Sequence, residues 1–185
     1  MAPLSPGFSP TIEFLRAAAT ETARRLVKRV RLEIGGDSPE EFSGIFHGLR
    51  DALLHAIRNS IDHGIEPPSE RRESGKPEIG RIRIEVSARS EELVVTIQDD
   101  GAGIDPDSVL RRATELGLPS ADRAKARTEI LELLFVPGFS TLDRAGSVSG
   151  RGIGLDAVRA LAETSGGSAE IDTTHGEGTT LVLRV

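Results

Sequence analysis

The chain reads as an α/β protein of two layers, a helix-on-sheet sandwich whose sheet contains antiparallel strand pairs. Three observations predict it. Ile45, Leu49, Leu53, Ile57 and Ile61 recur at every fourth residue, the spacing of a long amphipathic helix. Ile82, Ile84 and Val86 alternate with charged residues, and a second apolar run at 93–98 follows after a connection short enough for a hairpin. Runs at 168–172 and 179–185 flank His175-Gly176-Glu177-Gly178, a closing hairpin.

Along the chain, residues 1–10 carry three prolines and are expected to trail as a flexible lead-in to a domain over 11–185. The spacing predicts a helix over 11–29, capped by Thr11, with Phe14, Leu15, Ala18 and Leu26 as its apolar stripe. Val30, Leu32 and Ile34 alternate with Arg31 and Glu33 as a short strand that Gly35-Gly36 closes. The long helix covers 38–63, where Ser38-Pro39-Glu40-Glu41 supplies a cap, a first-turn proline and a capping-box glutamate. A polar loop with three prolines at 66–80 leads into the first hairpin. Helices are predicted over 105–116, 127–134 and 153–164, with a loop rich in Gly and Ser over 136–150.

Composition narrows the function classes. Lys and Arg total 23 against 29 Asp and Glu, a net charge of -6, which argues against nucleic acid as the main partner. The chain has no cysteine, so disulfides, thiolate metal sites and cysteine nucleophiles are excluded. No run approaches the roughly 18 apolar residues of a membrane span. Residues 1–10 lack the basic-then-apolar order of a secretory signal. A soluble, cytoplasmic protein without direct membrane insertion is the expectation. Its aromatics are all Phe, so the core must rest on Leu, Ile, Val and Ala.

Four clusters carry candidate chemistry. At about 100° per residue, His55, Asn59, Asp62 and His63 fall within roughly a quarter of the long helix, opposite its apolar stripe. A solvated face is the alternative, although such faces favour Lys and Glu over His and Asn. Asp99-Asp100-Gly101-Ala102-Gly103-Ile104 stands where a strand ends: a strand-to-helix turn, or a ligand loop with a carboxylate aimed into a pocket. Gly150-Arg151-Gly152-Ile153-Gly154-Leu155 leads into a helix, so its amides can approach an anion at the helix's positive end. Its spacing is not G-x-G-x-x-G and no Walker A lysine follows, which removes the Rossmann and P-loop readings. Gly176-Glu177-Gly178-Thr179-Thr180 taken alone is a hairpin turn.

In this order the clusters resemble the N, G1, G2 and G3 boxes of the GHKL ATP-binding superfamily. That group includes histidine kinases, type II topoisomerases, mismatch-repair ATPases and a heat-shock chaperone. Within it the chain is similar to the ATP-binding domain of CheA-type chemotaxis kinases. The N box is His55-Ala56-Ile57-Arg58-Asn59-Ser60-Ile61-Asp62-His63-Gly64-Ile65-Glu66. Leu133-Leu134-Phe135-Val136-Pro137-Gly138-Phe139-Ser140-Thr141 matches the F box, and Val148-Ser149 through Asp156 the G2 box. The resemblance covers 11–185 and implies the Bergerat version of the sandwich, with a mixed sheet.

It also implies roles. Asp99 accepts a hydrogen bond from the adenine exocyclic amine, beside Gly101, Gly103 and Ile104, and Thr179 borders that pocket. Asn59, near Asp62, coordinates Mg²⁺ bridging the phosphates of ATP, for which an amide oxygen is a suitable hard ligand. Gly150, Arg151, Gly152, Gly154 and Leu155 cradle phosphates beside a lid over about 135–149 that includes Ser140 and Thr141. His55 stands where related ATPases carry a glutamate and orients or deprotonates the phospho-acceptor, while His63 and Arg112 reach the γ-phosphate. Two positions depart from the pattern: Leu142 follows Ser140-Thr141, and Ser108 stands after the G1 box, where lysines are common.

The resemblance therefore implies the catalytic domain of a histidine kinase in two-component signalling. It would transfer the γ-phosphate of Mg²⁺-ATP to a histidine on a separate phosphotransfer domain and work beside other kinase domains or signalling adaptors. The missing phosphotransfer helix, dimerisation hairpin and SH3-like domain predict either an excised catalytic domain or a stand-alone protein working on a partner, monomeric in isolation. The alternatives are a non-catalytic ATP-gated interaction module, a conformational ATPase, against which His55 argues, and a serine-directed anti-sigma-factor kinase.

Overall fold

A computed structural model describes residues 1–89, 91–118, 121, 126–137, 139 and 155–185. Among these residues five strands form one sheet: β1 (Val30–Asp37), β2 (Gly80–Arg89), β3 (Glu92–Asp99), β4 (Ser168–Thr174) and β5 (Gly178–Arg184). Their order is β1-β2-β3-β5-β4, so the last hairpin inserts β5 beside β3. β1 and β2 run parallel and the other neighbours antiparallel, which makes the sheet mixed. A parallel pair needs a long crossover. That crossover carries α2 (Ser43–Gly48), α3 (Arg50–Asn59) and α4 (Pro68–Glu73).

Strand alternation sends every second residue to one face. One row across that face is Ile34, Ile84, Ile97, Leu181 and Ile171, aliphatic throughout. The helices α1 (Ser9–Arg25), α3 and α7 (Leu155–Thr164) cover it, and Leu15, Leu53, Ile57 and Val158 fill the space between layers. The next row is Leu32, Ile82, Asp99, Thr179 and Thr173, which turns from apolar to polar halfway across. The candidate site begins at that change. A smaller apolar cluster, with Val109, Ala113, Ile130 and Leu134, joins α5 (Pro106–Glu115) to α6 (Arg127–Glu132). Among the described residues no helix is long and apolar enough to cross a membrane.

Several expectations change. Residues 1–10 do not trail: Phe8 is fully buried with its ring 5.3 Å from that of Phe46, and the Ala2 carbonyl accepts from Gly36 N at 3.0 Å. The first helix starts at Ser9, so Thr11 lies inside it rather than at its cap, and its buried hydroxyl meets His47 Nδ1 at 2.9 Å. Its inward row is Thr11, Leu15, Ala19 and Ala23, while Phe14 and Leu26 face solvent. Small residues in that row allow close approach to the sheet, and Phe14 is covered instead by the Arg50 guanidinium, 5.1 Å from its ring. The predicted Ser38 cap is not made. A 3₁₀ turn at Glu40–Phe42 opens the segment, and Ser38 Oγ is buried without a partner among the described residues. The expected long helix is divided at Leu49 and ends in a π-helical turn, Ser60–Gly64. The polar loop at 66–80 contains α4.

Phe8→Ala removes a fully buried ring, and such truncations cost about 3–5 kcal/mol. Urea denaturation should show a loss of that order, whereas a change below about 1 kcal/mol would mean that the segment contributes nothing to the core.

Candidate functional site

Asp99 is the last residue of β3, on the inward face, and its carboxylate is 5% exposed. Three donors from three chain segments reach it. Ser60 Oγ, in the π turn, donates to Oδ2 at 2.8 Å; Gly101 N and Thr179 N donate to Oδ1 at 3.0 and 3.3 Å. Burial raises the Asp99 pKa above its ordinary range, and these three bonds oppose the shift. A carboxylate has about four acceptor sites, so Asp99 can still accept from a ligand.

Glycine is required where the segments meet. A Cβ on Gly101 would collide with the carbonyl of Gly64. Gly103 has φ +67°, and a Cβ there would collide with the carbonyl of Thr174. With side chains absent, Ala102 N donates to Gly64 O at 2.8 Å and Gly176 N to Ala102 O at 2.7 Å. The loop is thus tied to the π turn on one side and the β4–β5 hairpin on the other. Thr173, buried, completes the join: its hydroxyl accepts from Ile104 N at 2.8 Å, donates to Gly178 O at 2.8 Å and lies 3.1 Å from Thr179 Oγ1.

The structure thus brings Asp99, Gly101, Gly103, Ile104 and Thr179 together around one carboxylate. Asn59 directly precedes Ser60 and shares its face of α3 with His55, one turn earlier; both are half-buried and make no hydrogen bond through their side chains among the described residues. An unengaged amide oxygen on the residue before Ser60 fits a hard cation such as Mg²⁺. Burial, reinforced by Arg58, lowers the His55 pKa, so its imidazole is neutral at pH 7. The π turn alters the expected angular reading beyond residue 59. An i→i+5 turn winds more slowly than 100° per residue, and His63 faces solvent while Asp62 is half-buried. Lys28 closes this turn, donating from Nζ to the carbonyls of Ile61 and Asp62 at 2.7 and 2.8 Å. Arg112, on α5, pairs with Glu115 at 3.1 Å. Leu155 opens α7 and packs against both apolar clusters. Ser140, Thr141, Gly150, Arg151, Gly152 and Gly154, with most of the lid and Leu142, lie outside the described residues.

Sequence reasoning gave no role to Ser60, Lys28 and Thr173. Ser60 beside Asn59 carried a signal in its position. Lys28 and Thr173 act across 33 or more residues, on Ile61 and Ile104, and no local pattern marks them.

The family model described as histidine kinase-, DNA gyrase B-, and HSP90-like ATPase matches residues 45–185. The gliding motility regulatory protein of Myxococcus xanthus is 41% identical over 170 residues, 91% of this chain and 22% of that protein. The chemotaxis protein CheA of Cereibacter sphaeroides is 38% identical over 183 residues, 99% of this chain and 27% of its own length. The chain therefore spans about a quarter of the length of these relatives. The nucleotide-free catalytic domain of the histidine kinase ThkA shares the fold, with a TM-score of 0.58 at 15% identity over 100% of this chain and 95% of that one. This chain belongs to the histidine kinase-, DNA gyrase B- and HSP90-like ATPase family. Within that family its similarity is to the ATPase domains of CheA-type kinases.

An asparagine at position 99 would keep both N–H donors on Oδ1 and donate its amide to Ser60 Oγ. Because burial raises the Asp99 pKa above 3.8, its stabilising contribution is present below that value and is lost as pH rises through the raised one. Asp99→Asn lacks this loss. Its melting temperature should therefore gain on that of the parent between about pH 4 and pH 7; a difference independent of pH would show that no proton is linked to folding at this position.

Proposed function

We propose that this domain binds Mg²⁺-ATP and transfers the γ-phosphate to a histidine of a separate phosphotransfer domain, as the catalytic part of a CheA-like kinase. The observation that carries the reading is the buried Asp99 carboxylate, held by three donors with acceptor capacity to spare. Such a group recognises an exocyclic amine, the feature that separates adenine from hypoxanthine. Thr179 borders the same pocket through its bond to Asp99.

Asn59 is the residue that would hold Mg²⁺, through its amide oxygen, and the ion would screen the negative charge of the phosphates. His55, neutral at pH 7 and one helical turn away, would orient the acceptor imidazole or take its proton. Arg112 would assist at the γ-phosphate through its positive charge, which favours the transition state, and His63, whose pKa burial lowers, would assist there as a neutral hydrogen-bonding group. The acceptor in this reading is a separate phosphotransfer domain, and this domain would work beside other kinase domains or signalling adaptors.

Isothermal titration of ATP, with and without Mg²⁺, tests the binding. The affinity should strengthen with Mg²⁺ and fall by about tenfold or more in Asp99→Asn, one tenfold step being about 1.4 kcal/mol. Equal binding by parent and variant would overturn the role of Asp99.

The transfer rate to an added phosphotransfer domain should stay level from about pH 8 down to the ordinary histidine value of 6.5 and decline only below it. In His55→Gln the rate should be low, with that acid limb gone. An unchanged limb in His55→Gln would assign the titration to another group.

A further inference from the structure

Beneath the loop at 99–104 lies an ion cluster that the functional reading does not use. Arg71, on α4, is fully buried, 0% exposed. Its guanidinium donates to Glu66 at 2.8 Å, to Pro77 O at 2.7 Å and to Asp100 O at 3.1 Å, and it lies 3.1 Å from the Asp100 carboxylate. Lys76 Nζ donates to Glu66 at 2.7 Å, to Gly101 O at 2.8 Å and to Asp100 O at 3.3 Å. A guanidinium withdrawn from water is strongly disfavoured unless its partners are well placed, so this arrangement holds its geometry closely.

The carbonyl of Asp100 belongs to the same peptide unit as the N–H of Gly101. That unit is planar and trans, so its C=O and N–H point in opposite directions. Two cations grip the carbonyl on one side, and on the other the N–H donates to Asp99 Oδ1 at 3.0 Å. Fixing the carbonyl fixes the N–H, and a cation on the oxygen makes the N–H a stronger donor.

We infer that Lys76 and Arg71 are positioning residues for the candidate adenine pocket: through the Asp100–Gly101 peptide they aim and polarise the N–H that holds the Asp99 carboxylate. This rests on the reading of Asp99 as the adenine-binding group. Asp100 serves the same brace. Its Oδ1 accepts from Arg81 N at 2.8 Å while the Arg71 guanidinium faces its other oxygen. The adjacent aspartates therefore divide into one that faces the pocket and one that anchors the turn.

The test uses Lys76, which is partly exposed, because replacing Arg71 would leave Glu66 without its buried partner. Two readouts are taken on Lys76→Met and Lys76→Arg: ATP affinity by calorimetry, and the Gly101 amide proton resonance by NMR. In Lys76→Met the affinity should fall about tenfold, as when one charge-assisted bond is lost, and the Gly101 amide should move upfield. Lys76→Arg should restore both. A folded Lys76→Met with unchanged affinity would overturn the inference, and so would lost affinity with an unmoved Gly101 amide, which would mean that Lys76 acts by another route. If Lys76→Met fails to fold, Lys76→Gln, which also removes the charge but keeps a polar side chain, replaces it with the same two readouts and the same criteria. If the parent chain does not bind ATP, the reading of Asp99 fails, whereas the Gly101 resonance still decides whether Lys76 controls this peptide.

Discussion

A carboxylate removed from water at the end of β3 constrains everything near it. Asp99 has to find donors inside the protein, since an unsatisfied buried charge costs several kcal/mol. Its donors come from the π turn after α3, from the loop after β3 and from β5. Those segments are far apart in sequence, so satisfying one side chain forces three parts of the fold to converge. The glycines at 101 and 103 follow from this convergence. Where backbone lies against backbone, there is no room for a Cβ.

The sheet register explains why the site lies where it does. The row through Ile97 is aliphatic from edge to edge across all five strands. One step along, the row through Asp99 exchanges aliphatic residues for Thr179 and Thr173. Helical cover over the first row supplies the stability that permits polar groups in the second. Strand period also separates the neighbours Asp99 and Asp100: one faces the helical layer, while the other turns to Arg71 and the backbone of Arg81.

Much of this was legible in the sequence, wherever the relevant interaction was local or periodic. The strands at 30–34 and 82–86 showed in their alternation, although the first continues through Gly35-Gly36 to Asp37; the strand at 93–98 showed as an apolar run, and the inward face of α2 and α3 in a four-residue repeat. The pairing of Asp99 with glycines at a strand end marked the centre of the site. Features that depend on distant partners did not show. Nothing around Phe8 distinguishes a core ring from a residue in a proline-rich lead-in; it is buried because Phe46 lies 5.3 Å away. For the helix at 9–25 the sequence suggested a stripe of Phe14, Leu15, Ala18 and Leu26, whereas the row buried against the sheet is Thr11, Leu15, Ala19 and Ala23. Arg71 sits in a stretch whose composition reads as solvated loop, and its burial depends on Glu66, Asp100 and Pro77 all meeting it. No propensity identifies the π turn.

That turn links the fold to the chemistry proposed for it. If the α-helix continued past Asn59, the carbonyls of Ser60 and Ile61 would bond within the helix and the chain would keep its direction. The wider turn instead closes with Ile65 N on Ser60 O at 2.7 Å, and Lys28 takes the carbonyls of Ile61 and Asp62. The chain can then leave the helix at Gly64, whose carbonyl receives Ala102 N. Ser60 is left facing Asp99, with Asn59 next to it. The same local irregularity thus ties the end of the helix that carries a proposed metal-binding amide to a proposed adenine-binding carboxylate, through Ser60, and to the loop after β3, through Gly64. A regular helix would have given better backbone bonding and no such junction, which is the usual reason π turns persist at functional positions.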